Sequence, residues 1–226
     1  MHLTAEMVAL VERREPDPGP EPGTADHTDA EIEALAKSLL ANVAPDDDLW
    51  VFAYGSLIWN PVFEALEQRR AVAKGWHRSF CFQITRWRGT RELPALMLAL
   101  DRGGSCVGIA YRLPAGDNLG HVVKLLDREI DANPPTNVPR WINVSTSDGP
   151  VRALAFVAAK DGPAYAGKSP LADVAHVLAR AAGHWGTSAQ YAFQTISKLE
   201  EHGIRDRNLW KIQKLMATEI SRLHPE

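Results

Sequence analysis

Trp50-Val51-Phe52-Ala53-Tyr54-Gly55-Ser56-Leu57-Ile58-Trp59 begins as an apolar run of aromatic and β-branched residues, breaks at Gly55-Ser56 and resumes with large apolar side chains. That composition reads as a strand ending at a corner. Glycine lets the backbone approach a ligand closely, and successive amides at a corner can converge on one oxygen. Tyr54-Gly55-Ser56-Leu57 is therefore a candidate cradle for an anionic or carbonyl group, with Val51, Phe52 and Ala53 leading into it. An ordinary strand-ending turn has the same pattern, so the stretch gains functional weight only from its surroundings.

Working outward from it, strand-like runs recur near 70–75, 79–85, 95–100, 105–113, 139–146 and 151–159. Gly103-Gly104 reads as a short hairpin turn between two of them. After Ser169-Pro170 the period becomes helical, with helices expected at 170–182, 187–202 and 206–223, separated by Gly183 and Gly203. Thr187 with Gln190 three residues on suggests a capping box. A β-rich body with a helical C-terminal part is an α+β fold. Upstream, residues 1–48 read as an extension to a main domain spanning 49–226. It holds a short helix at Thr4 to Arg14, a Pro/Gly-rich linker from Glu15 to Gly23, and an amphipathic helix through Ile32, Leu35, Ala36, Leu39 and Leu40. Thr28 and Glu31 form its candidate capping box.

One helix interrupts the strands, near 119–131. At 100° per residue, Leu119, Val122, Val123, Leu125, Leu126 and Ile130 share an apolar arc, whereas His121, Lys124, Asp127 and Arg128 fall outside it. Glu129 breaks the pattern, because its direction lies between those of Leu125 and Val122. A carboxylate facing inward is unfavourable unless it is paired or protonated. Two readings are open: a buried ion pair with an arginine such as Arg140, or an acid tuned for proton transfer.

The chain has 226 residues, 45% hydrophobic and 23% charged, enough for a sizeable core. A formal net charge of −3 gives no electrostatic reason to expect nucleic acid or an anionic membrane as partner. No apolar run reaches the ~18 residues of a membrane span, and the first residues lack a signal-peptide order, which makes a cytoplasmic location the expectation. Cys81 and Cys106 lie in apolar segments without CxxC spacing and read as buried free thiols. The eight histidines show no His-Glu-x-x-His pattern, so no metal is expected.

The Trp50 to Pro61 stretch, then Arg88-Gly89-Thr90, then Asp127-Arg128-Glu129, in that order and spacing, resemble the ChaC-type γ-glutamylcyclotransferases. The likeness continues through Pro139-Arg140-Trp141, Lys168-Ser169-Pro170, the Gly183 to Tyr191 turn and helix, and Gly203-Ile204-Arg205-Asp206, covering about residues 49–215. Three positions depart from the family pattern. Ala53 stands for a usual glycine, Ala95 follows Pro94 where Pro-Gly is common, and Gln190 replaces a frequent glutamate before Tyr191.

The resemblance implies a small mixed β-barrel flanked by helices, action on glutathione to release 5-oxoproline and cysteinylglycine, and no cofactor. In such a reaction the substrate's α-amine attacks its own γ-carbonyl, so the protein supplies no nucleophile. It must hold the glutamyl chain bent, relay a proton and stabilise charge on the carbonyl oxygen. Glu129 is the candidate relay, and the cradle residues Tyr54, Gly55, Ser56 and Leu57 bind either that oxygen or the glutamyl α-carboxylate. Arg86, Arg88 and Arg91 cluster around Gly89-Thr90, and the fork of a guanidinium suits a peptide carboxylate. Arg88 and Tyr191 are the substrate-binding candidates there, with solvation or plain packing as their bland alternatives. Three other functions remain: turnover of other γ-glutamyl peptides, a binding module without turnover, and a Ser56 nucleophile served by His77. The last lacks the second glycine of Gly-x-Ser-x-Gly.

Overall fold

The computed structural model describes residues 1–44, 47–130 and 132–225. Helix α1 (Ala5–Leu10) precedes the Pro/Gly-rich segment and α2 (Asp29–Leu40) follows it. The Thr28 hydroxyl accepts from the Glu31 N–H while the Glu31 carboxylate accepts from the Thr28 N–H at 2.8 Å, which completes the expected capping box. Strands β1 (Trp50–Ala53), β2 (Glu67–Ile84) and β3 (Ala95–Arg112) lead to α3 (Asn118–Glu129), then β4 (Asn137–Thr146) and β5 (Gly149–Ala158). The C-terminal part contains α4 (Leu171–Leu178), the two-residue strands β6 (Ala182–Gly183) and β7 (Gly186–Thr187), α5 (Ser188–Glu201) and α6 (Arg207–Leu223).

The first five strands close a barrel in the order β1-β3-β2-β4-β5. Antiparallel pairing sets Phe52 opposite Ala110 and Ala53 opposite Ile109, and a parallel contact of Trp50 with Ala153 and Val51 with Leu154 closes the ring. The barrel is therefore mixed, and the α+β assignment holds.

Two strand readings need correction. The runs at 70–75 and 79–85 are one strand, as are those at 95–100 and 105–113, so Gly103-Gly104 is not a hairpin turn. Gly75, Gly103 and Gly104 adopt φ of +80°, +107° and +68°, and the His77 Nδ1 lies 3.1 Å from the Gly103 carbonyl. Glycine at positive φ bends a paired strand without ending it, and in composition a bend looks the same as a stop.

The chain divides into two compact units, Thr24–Arg78 with Ala99–Pro163, and Met1–Gly23 with Ser79–Leu98 and Ala164–Glu226. In the first, Phe52, Leu100, Leu125, Leu126, Leu154 and Phe156 are fully buried, each contributing roughly 1.5–3 kcal/mol of apolar transfer. Helix α2 packs on α3, and its Leu39 carbonyl accepts from the Trp141 indole at 3.0 Å. In the second, α4 packs on α6, and the buried Gln213 Oε1 accepts from the His2 and Leu3 N–H groups, both at 2.8 Å. Cys81 and Cys106 are both buried, and neither is in a disulfide among the described residues. No described helix is long and apolar enough to cross a membrane.

Candidate active site

In the Thr24–Arg78/Ala99–Pro163 unit, β1 delivers the chain to a single 3₁₀ turn over Ser56–Ile58. Val51, Phe52 and Ala53 are fully buried on the way in. The Ile58 N–H donates to Gly55 O at 3.0 Å, and Trp59 and Asn60 both donate to Ser56 O. The N–H groups of Gly55, Ser56 and Leu57, which open the turn, have no acceptor among the described residues. The corner is thus a backbone donor site. The Tyr54 side chain does not join it: the ring is buried and its hydroxyl donates to Phe156 O at 2.9 Å.

Two further features hold the corner, neither visible in the sequence pattern. Buried Arg78 on β2 donates from Nε to Tyr54 O at 2.6 Å and from Nη2 to Val107 O. Gly108 on β3 leaves space for β1, since a Cβ there would stand 2.4 Å from Ala53 O and 2.7 Å from the Phe52 ring. A buried arginine with backbone partners has no periodic signature, and a glycine in a strand reads equally as a bulge.

Glu129 is the last residue of α3, in the same unit, with Val122 and Leu125 of its helix fully buried. Its side chain keeps 13% exposure, and its Oε1 lies 3.3 Å from Arg128 Nε. Glu129 is thus in an ion pair, the first of the two readings, and Arg128 is a partner in it; Arg140 is exposed on β4. Arg128 also donates from Nη1 to Asn60 O, directly after the corner. One guanidinium links the acid to the segment that closes the cradle. Asn137 Nδ2 donates to Glu129 O at 3.4 Å, and the Asn137 Oδ1 is buried with no partner among the described residues.

Arg88 and Tyr191 lie in the other unit. The Arg88 N–H donates to Arg86 O at 2.8 Å, closing a γ-turn over Trp87, whose φ of +67° is strained for a tryptophan. Trp185 N–H holds the Trp87 carbonyl at 2.8 Å, and Gly183 packs so closely that a Cβ would lie 2.4 Å from that oxygen. Arg88 is buried, donates from Nη1 to Thr187 O at 2.9 Å and Gln190 Oε1 at 3.3 Å, and stacks 5.5 Å from the Tyr191 ring centroid. Burial pushes its pKa below the usual arginine value. Thr187 caps α5 through the Gln190 N–H, but the Gln190 side chain serves Arg88 instead of completing a capping box. Arg86 forks onto Asp17, with both bonds at 2.8 Å, and Arg91 is exposed. His77, the base of the nucleophile reading, places its ring on the Gly103 carbonyl. Among the described residues, no three His, Cys, Asp or Glu side chains are grouped to hold a metal ion.

The chain is similar to several known proteins. A glutathione-specific γ-glutamylcyclotransferase of Escherichia coli (strain K12) is 37% identical over 193 residues, 82% of this chain and 83% of the relative. A γ-glutamylcyclotransferase 2-1 of Arabidopsis thaliana is 33% identical, covering 65% of this chain and 71% of the relative. The crystal structure of a yeast cyclotransferase specific to glutathione superposes with a TM-score of 0.70 at 17% identity, covering 78% of this chain and 99% of that one, which shows a shared fold. The family model described as ChaC-like protein matches residues 49–219, and with it the chain belongs to the ChaC-like family.

Proposed function

We propose that this protein is a glutathione-specific γ-glutamylcyclotransferase that works in the cytoplasm, with residues 49–226 as its catalytic domain and 1–48 as an extension. The glutamyl α-amine attacks the γ-carbonyl, the lactam C–N bond forms, the peptide C–N bond breaks, and 5-oxoproline and cysteinylglycine leave. Glu129 takes a proton from the α-ammonium and returns one to the departing amine. A single carboxylate serves both nitrogens because they flank one tetrahedral carbon. The N–H groups of Gly55, Ser56 and Leu57 face the glutamyl moiety and stabilise negative charge on its carbonyl oxygen. Val51, Phe52, Ala53 and Tyr54 lead into the cradle, and Arg88 and Tyr191 complete the set of substrate-binding candidates.

The observation that carries this reading is the Arg128 bridge, which joins the Glu129 carboxylate and the Asn60 carbonyl, next to backbone donors that have no acceptor among the described residues. A proton relay must hold its position to a fraction of an ångström, and a doubly anchored guanidinium restricts it. The test is 5-oxoproline release from glutathione by the purified protein and by Glu129→Gln. The variant keeps the fold and loses on the order of 10²–10⁴ in kcat, the usual worth of general acid–base catalysis. Wild-type turnover in Glu129→Gln removes Glu129 from the reaction, and an acyl-enzyme trapped by the wild type but not by Ser56→Ala replaces lactam formation with a serine mechanism.

A further inference from the structure

Each of the three cradle N–H groups with no acceptor among the described residues belongs to a peptide whose carbonyl is already bonded on its far side. The peptide carrying the Ser56 N–H has its Gly55 carbonyl bonded by the Ile58 N–H at 3.0 Å. The one carrying the Leu57 N–H has its Ser56 carbonyl bonded by the Trp59 and Asn60 N–H groups, at 3.1 and 2.8 Å. The peptide carrying the Gly55 N–H differs, because its Tyr54 carbonyl accepts from a guanidinium, Arg78 Nε, at 2.6 Å. A hydrogen bond to a carbonyl polarises the whole peptide and strengthens its N–H as a donor, and a charged partner does so more than a neutral one.

Bracing alone does not call for that charge. The β1–β3 ladder ends with Ala53 opposite Ile109, and just beyond it the Tyr54 and Val107 carbonyls both accept from Arg78. Two carbonyls need two N–H groups, which a neutral side chain can bring. A guanidinium stays protonated at any working pH, so at 4% exposure it carries a desolvation cost that a neutral donor would not. Tyr54, Gly55, Arg78 and Val107 all lie in the Thr24–Arg78/Ala99–Pro163 unit, as does Glu129.

We propose that Arg78 is a positioning residue that acts through the Tyr54–Gly55 peptide. Its charge makes the Gly55 N–H the strongest donor of the cradle and gives that group the γ-carbonyl oxygen, where negative charge develops as the lactam forms. This rests on the cyclotransferase reading and adds a division of labour within the cradle.

Two variants separate charge from shape. Arg78→citrulline keeps the outline of the side chain and N–H donors for both carbonyls but is neutral, whereas Arg78→Lys keeps the charge and changes the outline. Removing one oxyanion donor outright costs ~10²–10³ in kcat, and weakening one costs less. Arg78→citrulline therefore lowers kcat for 5-oxoproline release about 10-fold with KM unchanged, the mark of an interaction made only in the transition state. Arg78→Lys stays several-fold faster than Arg78→citrulline, which a purely structural role would not produce; where Arg78→Lys fails to fold, the citrulline variant decides alone. The amide nitrogen resonance of Gly55 gives a readout independent of turnover: it moves upfield in Arg78→citrulline while those of Ser56 and Leu57 hold. Wild-type kcat in Arg78→citrulline overturns the proposal, as does a raised KM at unchanged kcat, which would place a ground-state anion on the Gly55 N–H. A Gly55 resonance that does not move overturns it whether or not the protein is active. A wild type that releases no 5-oxoproline, yet shows the Gly55 shift, loses the cyclotransferase reading and keeps the polarised donor.

Discussion

Replacing Gly108 by alanine tests whether the barrel wall sets the geometry of the cradle. The added Cβ would stand 2.4 Å from Ala53 O, 2.7 Å from Phe52 Cζ and 2.9 Å from Phe52 Cε2. Ordinary contact begins near 3.4 Å, so β1 must retreat by about 1 Å at the residue before Tyr54. Neither neighbour yields cheaply, because one is backbone and the other is a fully buried ring. Overpacking of this kind costs ~1–3 kcal/mol. A shift of about 1 Å at the corner would lower the rate on the order of 10²-fold by misplacing the donors against the carbonyl oxygen. Urea unfolding measures the first effect, and kcat/KM for 5-oxoproline release, at a temperature where both proteins are folded, measures the second. An alanine variant that is destabilised yet turns over at the wild-type rate breaks the link from strand position to cradle. One that matches the wild type in both refutes the steric argument itself.

Thr28→Ala removes one half of a complete capping box and should destabilise by ~1 kcal/mol in urea unfolding while leaving kcat/KM unchanged. The fork from Arg86 holds the Asp17 carboxyl down to about 2, against an ordinary 3.8. A depressed acid stabilises the folded state above its unfolded pKa and ceases to as the pH falls through its folded value. Protection of the 15–23 segment is therefore complete above about pH 4 and lost toward pH 2. Carboxyl-carbon NMR titration of Asp17 reads this directly: Arg86→Gln should return the midpoint to the normal carboxylate range, and a wild-type midpoint near 4 would contradict the fork.

The sequence exposed those parts of the fold whose signals are local. Thr28 and Glu31 stand three residues apart and cap α2 as their spacing predicts, and the apolar arc of Val122, Leu125 and Leu126 is buried as a helical period requires. Strand length was illegible at Gly75 and Gly103-Gly104, because whether a glycine ends a strand depends on whether the partner strand continues opposite it. Barrel closure was not readable from periodicity at all. The contact of Trp50 with Ala153 joins residues far apart in the chain, and only the resemblance anticipated it.

The candidate site shows the same division more sharply. Glu129 could be placed by its angle on the helix, but its partner could not, since neighbours in sequence do not face one another within a helix. Glu129 is the final helical residue, and the chain turns away at Ile130, where ψ is 88°, so the rule for helix interiors no longer governs the pair with Arg128. The arginines of the 86–91 segment make the strongest case. By composition Arg86, Arg88 and Arg91 are equivalent, yet one is neutralised by Asp17, one is solvated, and one is buried beside neutral Gln190 at the start of α5. What separates them is the electrostatics supplied by residues about 70 positions upstream and 100 downstream.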